Sequence, residues 1–148
     1  MDKQIRDNLK LDNQLCFALY SASLAMNKIY KPLLQGLDLT YPQYLIMLVL
    51  WEEDGITATT LGKKLMQDLG ALSPVIKRLE VQGLVERRRS QEDERKIELH
   101  LTAAGKAMQQ QAGSLPEQIL CASELNIDDL KTLKARLDEL RDSLQKQL

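Results

Sequence analysis

The stretch from Ala58 to Leu101 constrains the fold more than any other part of the chain. In TTLGKKLMQ, Leu61, Leu65 and Met66 form a narrow apolar face with Lys63 and Lys64 opposite, which predicts a short, half-exposed helix. Asp68-Leu69-Gly70 follows, and Asp68 is the expected cap of a second helix running through ALSPVIKRLEVQ. Pro74 lacks a backbone donor and suits a first turn better, which leaves the start of that helix open. Gly83 is the residue type that ends it. Leu72, Val75, Ile76 and Leu79 are expected to face inward, and Ser73, Lys77, Arg78 and Gln82 outward. Leu84-Val85 then opens a strand, and Ile97, Leu99 and Leu101 alternate with Glu98 and His100 as its return. Between the two lies ERRRSQEDERK, read as an all-charged hairpin tip.

Short helix, turn, longer helix and charged hairpin, in that order, spell a winged helix-turn-helix. An outward row of hydroxyl, cationic and amide groups suits phosphates and base edges. From Lys77 to Arg89 there are five basic residues (Lys77, Arg78, Arg87, Arg88, Arg89) against Glu80 and Glu86, in a chain of net charge -1. A charged hairpin tip on its own is more often merely solvated. Directly after a helix-turn-helix it favours double-stranded DNA, because phosphate neutralisation supplies most non-specific affinity and a wing-tip arginine can enter the minor groove.

At 148 residues the chain is expected to be one domain, with the DNA-binding part at about residues 43–101 and dimerisation helices at about 11–35 and 102–148. The N-terminal MDKQIRDNLK is polar and no apolar run has membrane length, so a cytoplasmic protein with no membrane partner is expected. Two distant cysteines and one histidine form neither a dithiol motif nor a metal-ligand cluster, and no cofactor is implied.

The flanks carry helical rhythm. From Leu11 to Leu34, apolar residues fall at Leu15, Leu19, Ala22, Met26, Ile29 and Leu33, in steps of four and three. After Asp128, the expected cap, Leu130, Leu133, Leu137, Leu140 and Leu144 repeat the pattern. Two terminal helices with bare seams predict a mainly α fold with a small β-wing, paired as an intertwined homodimer. Thr40-Tyr41-Pro42-Gln43 has the form of a capping box and opens the helix YLIMLVLW, apolar nearly all round and therefore central. Ile56-Thr57 offers a short third strand, Thr102 caps AAGKAMQQQAG, and Leu115-Pro116 starts a further short helix carrying Cys121.

By residue type alone, Cys16 and Cys121 each read as small buried hydrophobes. However, LDNQLCFALYSASLAMNKIYKPLL, LTYPQYLIMLVLWE and LSPVIKRLEVQGLVERRRSQEDERKIELHLT together closely resemble the organic-hydroperoxide-sensing branch of the MarR regulators. The resemblance covers nearly the whole chain, and the first motif is specific to the branch. It implies that Cys16 is the peroxide sensor and that Tyr30 and Tyr41 hydrogen-bond it, although either tyrosine could equally be a core aromatic. Fourteen residues of helix span about 21 Å, so Tyr30 must serve the Cys16 of a second, antiparallel copy. Tyrosine donors would favour the reactive thiolate, and attack on a peroxide would give a sulfenic acid. ILCAS resembles the branch members with a second cysteine, which implies that Cys121 resolves the partner's oxidised Cys16.

The same resemblance assigns Arg78 to the basic position of the recognition helix, and Asp93-x-Arg95 to the wing motif whose arginine enters the minor groove. Asp68, Ser73, Lys77, Arg87, Arg88 and Arg89 complete the expected DNA surface. Where the branch usually has Asp-Ser-Gly-Thr-Leu, this chain has Asp68-Leu69-Gly70-Ala71-Leu72, without two hydroxyls. The function expected is a homodimeric repressor on a pseudo-palindromic operator, induced by an organic hydroperoxide. Two readings compete with it: a MarR-type repressor released by a small apolar or phenolic ligand with structural cysteines, and a thiol peroxidase, for which no peroxidatic motif or thioredoxin-like alternation is present.

Overall fold

The computed structural model describes residues 2–148. Its elements are α1 (Lys3–Asn8), a 3-10 turn (Leu11–Asn13), α2 (Leu15–Gln35), α3 (Tyr41–Glu52), α4 (Ala58–Leu65), α5 (Leu69–Val81), β1 (Val85–Arg89), β2 (Ile97–Leu101), α6 (Ala103–Ala112), α7 (Leu115–Ser123) and α8 (Ile127–Gln145). They fall into two compact units, Met1–Ala112 and Gly113–Leu148.

The first unit is built around α3. Thr40 caps it with a reciprocal capping box, its hydroxyl accepting from the Gln43 N–H while the Gln43 side chain accepts from the Thr40 N–H at 2.8 Å. Ile46, Met47 and Leu50 on this helix are wholly buried, and α2, α4, α5, α6 and β2 all pack against it. An apolar helix with no polar face can only be satisfied in this way.

The helix-turn-helix forms where the spacing predicts it. Thr57 caps α4 through the Thr60 N–H, and Asp68 caps α5, its carboxylate accepting from the Ala71 N–H at 2.8 Å. Pro74 therefore lies inside α5, not in its first turn. Helix α4 stops one residue earlier than its apolar pattern suggests. Met66 adopts a left-handed φ of 56° and is 48 % exposed, so it turns the chain instead of joining Leu61 in the core. Gly62 lets this turn close, since a Cβ there would lie 2.9 Å from the Gln67 carbonyl oxygen. On α5, Leu72, Ile76 and Leu79 are buried, while Val75 is only half-buried.

The wing is a two-stranded antiparallel hairpin with Val85 opposite Leu101 and Arg89 opposite Ile97. Glu86 to Arg89 belong to β1, so the loop is Ser90 to Lys96, shorter than the charged tip expected from the sequence. The buried Ser90 organises that loop, its hydroxyl accepting from the N–H groups of Glu92 and Asp93 while its own N–H donates to the Lys96 carbonyl. The expected third strand reduces to one bridge, Thr57 to Glu98.

Two flanking expectations are corrected. The first long helix starts at Leu15, because Leu11–Asn13 forms a separate 3-10 turn. Leu15, Met26 and Ile29 on its seam are 61 %, 46 % and 47 % exposed in the single chain. In the second unit, α8 is capped by Asn126, whose side chain accepts from the Asp129 N–H at 2.8 Å, and not by Asp128. Its Leu133, Leu137 and Leu144 are exposed as well.

Candidate DNA interface and redox site

The outward face of α5 is the one opposite Leu72, Ile76 and Leu79, and it presents Ser73, Lys77 and Arg78, all exposed. No ion pair engages Lys77 or Arg78 among the described residues. Gln82 does not belong to that row. Its amide turns back into the protein, donating to the Asp38 carbonyl at 2.7 Å and accepting from the Gln43 side chain at 2.8 Å.

The wing arginines are individually restrained. Arg87 pairs with Glu80, which ties β1 to α5, and Arg88 pairs with Glu86. Arg89 donates to the Glu94 carbonyl at 3.0 Å. At the loop, Arg95 forms a forked contact with Asp93, Nε to Oδ1 at 3.1 Å and Nη2 to Oδ2 at 3.2 Å, while its own N–H also donates to Oδ1. Hydrogen bonds from the Arg95 side chain, then from its backbone, hold the Asp93 carboxyl below its ordinary value. The Arg95 side chain is nevertheless 90 % exposed. A fork that orients an arginine without covering it presents a positioned cation at the wing tip.

Cys16 sits in the first turn of α2 and Cys121 on α7, both as exposed free thiols. Because α2 is one helix from Leu15 to Gln35, Tyr30 is held roughly 21 Å from Cys16 of its own chain. What the fold does bring together is Tyr30 and Tyr41, with ring centroids 5.1 Å apart. A third ring joins them: Tyr44, buried on α3, lies 5.9 Å from Tyr30 and 6.3 Å from Tyr41. The Tyr41-x-x-Tyr44 spacing, three apart on one helix face, was the available signal for this residue. Burial, then the neighbouring Tyr41 and Tyr44, push the Tyr30 phenol up to about 12. Burial raises Tyr41 and Tyr44 too. All three hydroxyls therefore keep their protons at neutral pH. Tyr30 and Tyr41 open onto a cleft of about 450 Å³ that Asn27, Lys31, Asp38 and Thr40 also line.

The neutral phenols beside an open cleft, the capped α5 and the wing with its oriented Arg95 belong to a chain with recognisable relatives. A family model described as "Transcriptional regulator SarA/Rot" matches residues 28–111. The organic hydroperoxide resistance transcriptional regulator of Bacillus subtilis (strain 168) is 47 % identical over 138 residues, spanning 93 % of this chain and 94 % of the relative. The chain belongs to the MarR family of transcriptional regulators. Among solved MarR-type structures, reduced AbfR bound to DNA superposes with a TM-score of 0.80 at 33 % identity, covering 99 % of this chain and all of that one. AbfR, from Staphylococcus epidermidis, has also been solved in a disulfide form, which matches less well, with a TM-score of 0.64 at 32 % identity over 99 % and 97 % of the two chains. The mainly helical winged fold and DNA-binding transcriptional regulation are thus those of the MarR family, whose relatives here are regulators and not enzymes. Among the described residues, no helix is long and apolar enough to cross a membrane, and no cluster of potential ligands could hold a metal ion.

Proposed function

We propose that this regulator is a homodimeric, redox-sensing repressor that leaves its operator when an organic hydroperoxide oxidises Cys16. The observation that carries the reading is the pairing of Tyr30 with Tyr41 at an open cleft, a helix length from the Cys16 of the same chain. Two protonated phenols are hydrogen-bond donors awaiting an acceptor, and a partner's thiolate arriving on an antiparallel α2 is an acceptor of the right kind. The exposed seams of α2 and α8 supply the apolar surface on which such a partner would pack. Identity to the Bacillus subtilis regulator supports the inducer class.

The chemistry follows from those groups. The Cys16 thiolate attacks one peroxide oxygen, an S–O bond forms, the O–O bond breaks, and the alkoxide takes a proton to leave as the alcohol. Sulfur is oxidised and the peroxide reduced. The Cys121 thiol of the second copy then attacks the sulfenic sulfur, forming a disulfide and releasing water. AbfR has been solved both reduced on DNA and in a disulfide form, which is consistent with this sequence of states.

Two dimer-related α5 helices would enter successive major grooves of a pseudo-palindromic operator. Ser73, Lys77 and Arg78 would face the groove, with Asp68 presenting the helix start. Arg87, Arg88, Arg89 and the Asp93–Arg95 fork would follow the backbone and minor groove. A hundredfold release requires the oxidised state to disfavour the DNA-compatible arrangement by about 2.7 kcal/mol. Non-reducing electrophoresis after hydroperoxide treatment tests the resolving step. Wild type should give a covalent dimer and Cys121→Ser should not; a dimer band surviving in Cys121→Ser removes Cys121 from the mechanism.

One observation favours a second reading. A cleft of about 450 Å³ with both polar and aromatic walls is large enough for a small phenolic ligand. On that reading Cys16→Ser would respond in full to the inducer.

A further inference from the structure

The five residues 36–40 join α2 to α3 along one wall of the tyrosine cleft, and the C-cap of α5 is hydrogen-bonded to them. Asp38 adopts a left-handed φ of 56°, its N–H donating to the Gln35 carbonyl, and its own carbonyl faces α5. Gln82, the C-cap of α5, donates to that carbonyl at 2.7 Å. The Gln82 side-chain oxygen accepts from Gln43 at 2.8 Å, and the buried Gln43 in turn accepts from the Thr40 N–H at 2.8 Å. Asp38, Thr40 and Tyr41 line the same cleft as Tyr30.

From this geometry we infer that the Asp38–Gln82–Gln43 amide chain is the mechanical link through which movement at the tyrosine cleft reaches the recognition helix. The inference rests on the redox reading and names the residues that carry its signal. Among the described residues, no other side-chain hydrogen bond joins this loop to α5. Apolar packing between α3 and α5 can slide with little change in contact, but hydrogen bonds are directional and fail within a few tenths of an ångström. Both functional ends of the Gln82 amide are engaged, one by the Asp38 carbonyl of the loop and one by Gln43 in the first turn of α3. A shift of the loop together with the start of α3 must therefore either pull the end of α5 with it or break both bonds. Helix α5 is a rod of 13 residues, about 20 Å long, so a pull at Gln82 tilts the whole helix, moving Arg78 in its last turn, Lys77 beside it and Ser73 toward its start. Gln82 is thus a positioning residue: it touches neither the thiol nor DNA in this account.

Gln82→Met keeps the length of the side chain and removes both hydrogen bonds; Gln82→Glu keeps an acceptor for Gln43 and loses the donor to Asp38. In full-length dimers, operator affinity is measured before and after stoichiometric cumene hydroperoxide, alongside the rate of Cys16 oxidation and the thermal midpoint. Oxidation should proceed at the wild-type rate in both variants. The ratio of reduced to oxidised affinity should fall at least tenfold in Gln82→Met, and by a smaller factor in Gln82→Glu, while reduced affinity changes less than about threefold. A variant that is oxidised normally and still releases DNA as wild type does overturns the link. If Gln82→Met does not fold, Gln82→Glu alone decides by the same ratio. A wild type that holds its operator after Cys16 is oxidised instead overturns the redox reading, and the link with it.

Discussion

Replacing glycine by alanine in a helix normally stabilises it by up to about 1 kcal/mol, but Gly105 on α6 should reverse the sign. A Cβ added there would lie 2.2 Å from the Leu84 carbonyl oxygen and 3.2 Å from Leu101 Cδ2. Favourable carbon contacts lie at roughly 3.5–4.0 Å, so the overlap exceeds an ångström. The oxygen cannot give way, because it accepts from the Thr102 N–H at 3.1 Å and the Leu84 N–H is held by the Leu79 carbonyl. Relief requires α6 to lift, which breaks the 2.9 Å bond from Trp51 Nε1 to the Gly105 carbonyl. Overpacking costs about 1–3 kcal/mol and the lost bond about 1 kcal/mol, leaving a net loss of about 1–3 kcal/mol after a propensity gain of about 1 kcal/mol. For a chain of this size that is a fall of about 2–12 °C in thermal midpoint at fixed protein concentration. Gly36→Ala is the control: its Cβ would meet nothing closer than the Leu33 carbonyl oxygen, at an ordinary 3.5 Å. Calorimetry showing Gly105→Ala melting with wild type, or both variants falling together, would refute the argument from close approach.

Alkaline titration tests the tyrosine cluster. The Tyr30 phenol is pushed up to about 12 by burial and its tyrosine neighbours, so the folded state holds this proton more tightly than the unfolded chain does. Stability from this source is complete below about pH 10 and is lost as pH rises toward 12. Tyrosinate absorbance should show a late-titrating component that Tyr30→Phe removes; its persistence in that variant would dissociate it from Tyr30. At the wing, Arg95→Ala should weaken operator binding by roughly 1–3 kcal/mol and make its salt dependence shallower. Its melting temperature should stay at the wild-type value because the exposed Asp93 fork adds little to folding. Unchanged binding at physiological salt would reject the wing assignment.

The helix-turn-helix was legible because its signals are local. Asp68, Thr40 and Gly83 act within one turn of their own positions, and caps read that way survive folding. The errors share a cause in tertiary context. Met66 continues an apolar face on paper, yet the chain must turn there to present α5, so it takes a left-handed backbone instead. Asn126 rather than Asp128 caps α8, a choice between two capable residues that only geometry makes. Gln82 has the composition of a DNA-facing residue, but its partners Asp38 and Gln43 lie about forty positions away, beyond any periodicity argument. Of the site, Tyr30 and Tyr41 came from family resemblance; Tyr44 needed the packing of α2 on α3 to be seen as their neighbour.

In the proposed function, one sulfur atom controls the grip on DNA. Operator affinity of wild type and Cys16→Ser, each with and without an organic hydroperoxide, measures it directly. Oxidation should lower wild-type affinity by about a hundredfold and leave Cys16→Ser bound as tightly as before. Equal release of both proteins, or of neither, would contradict it.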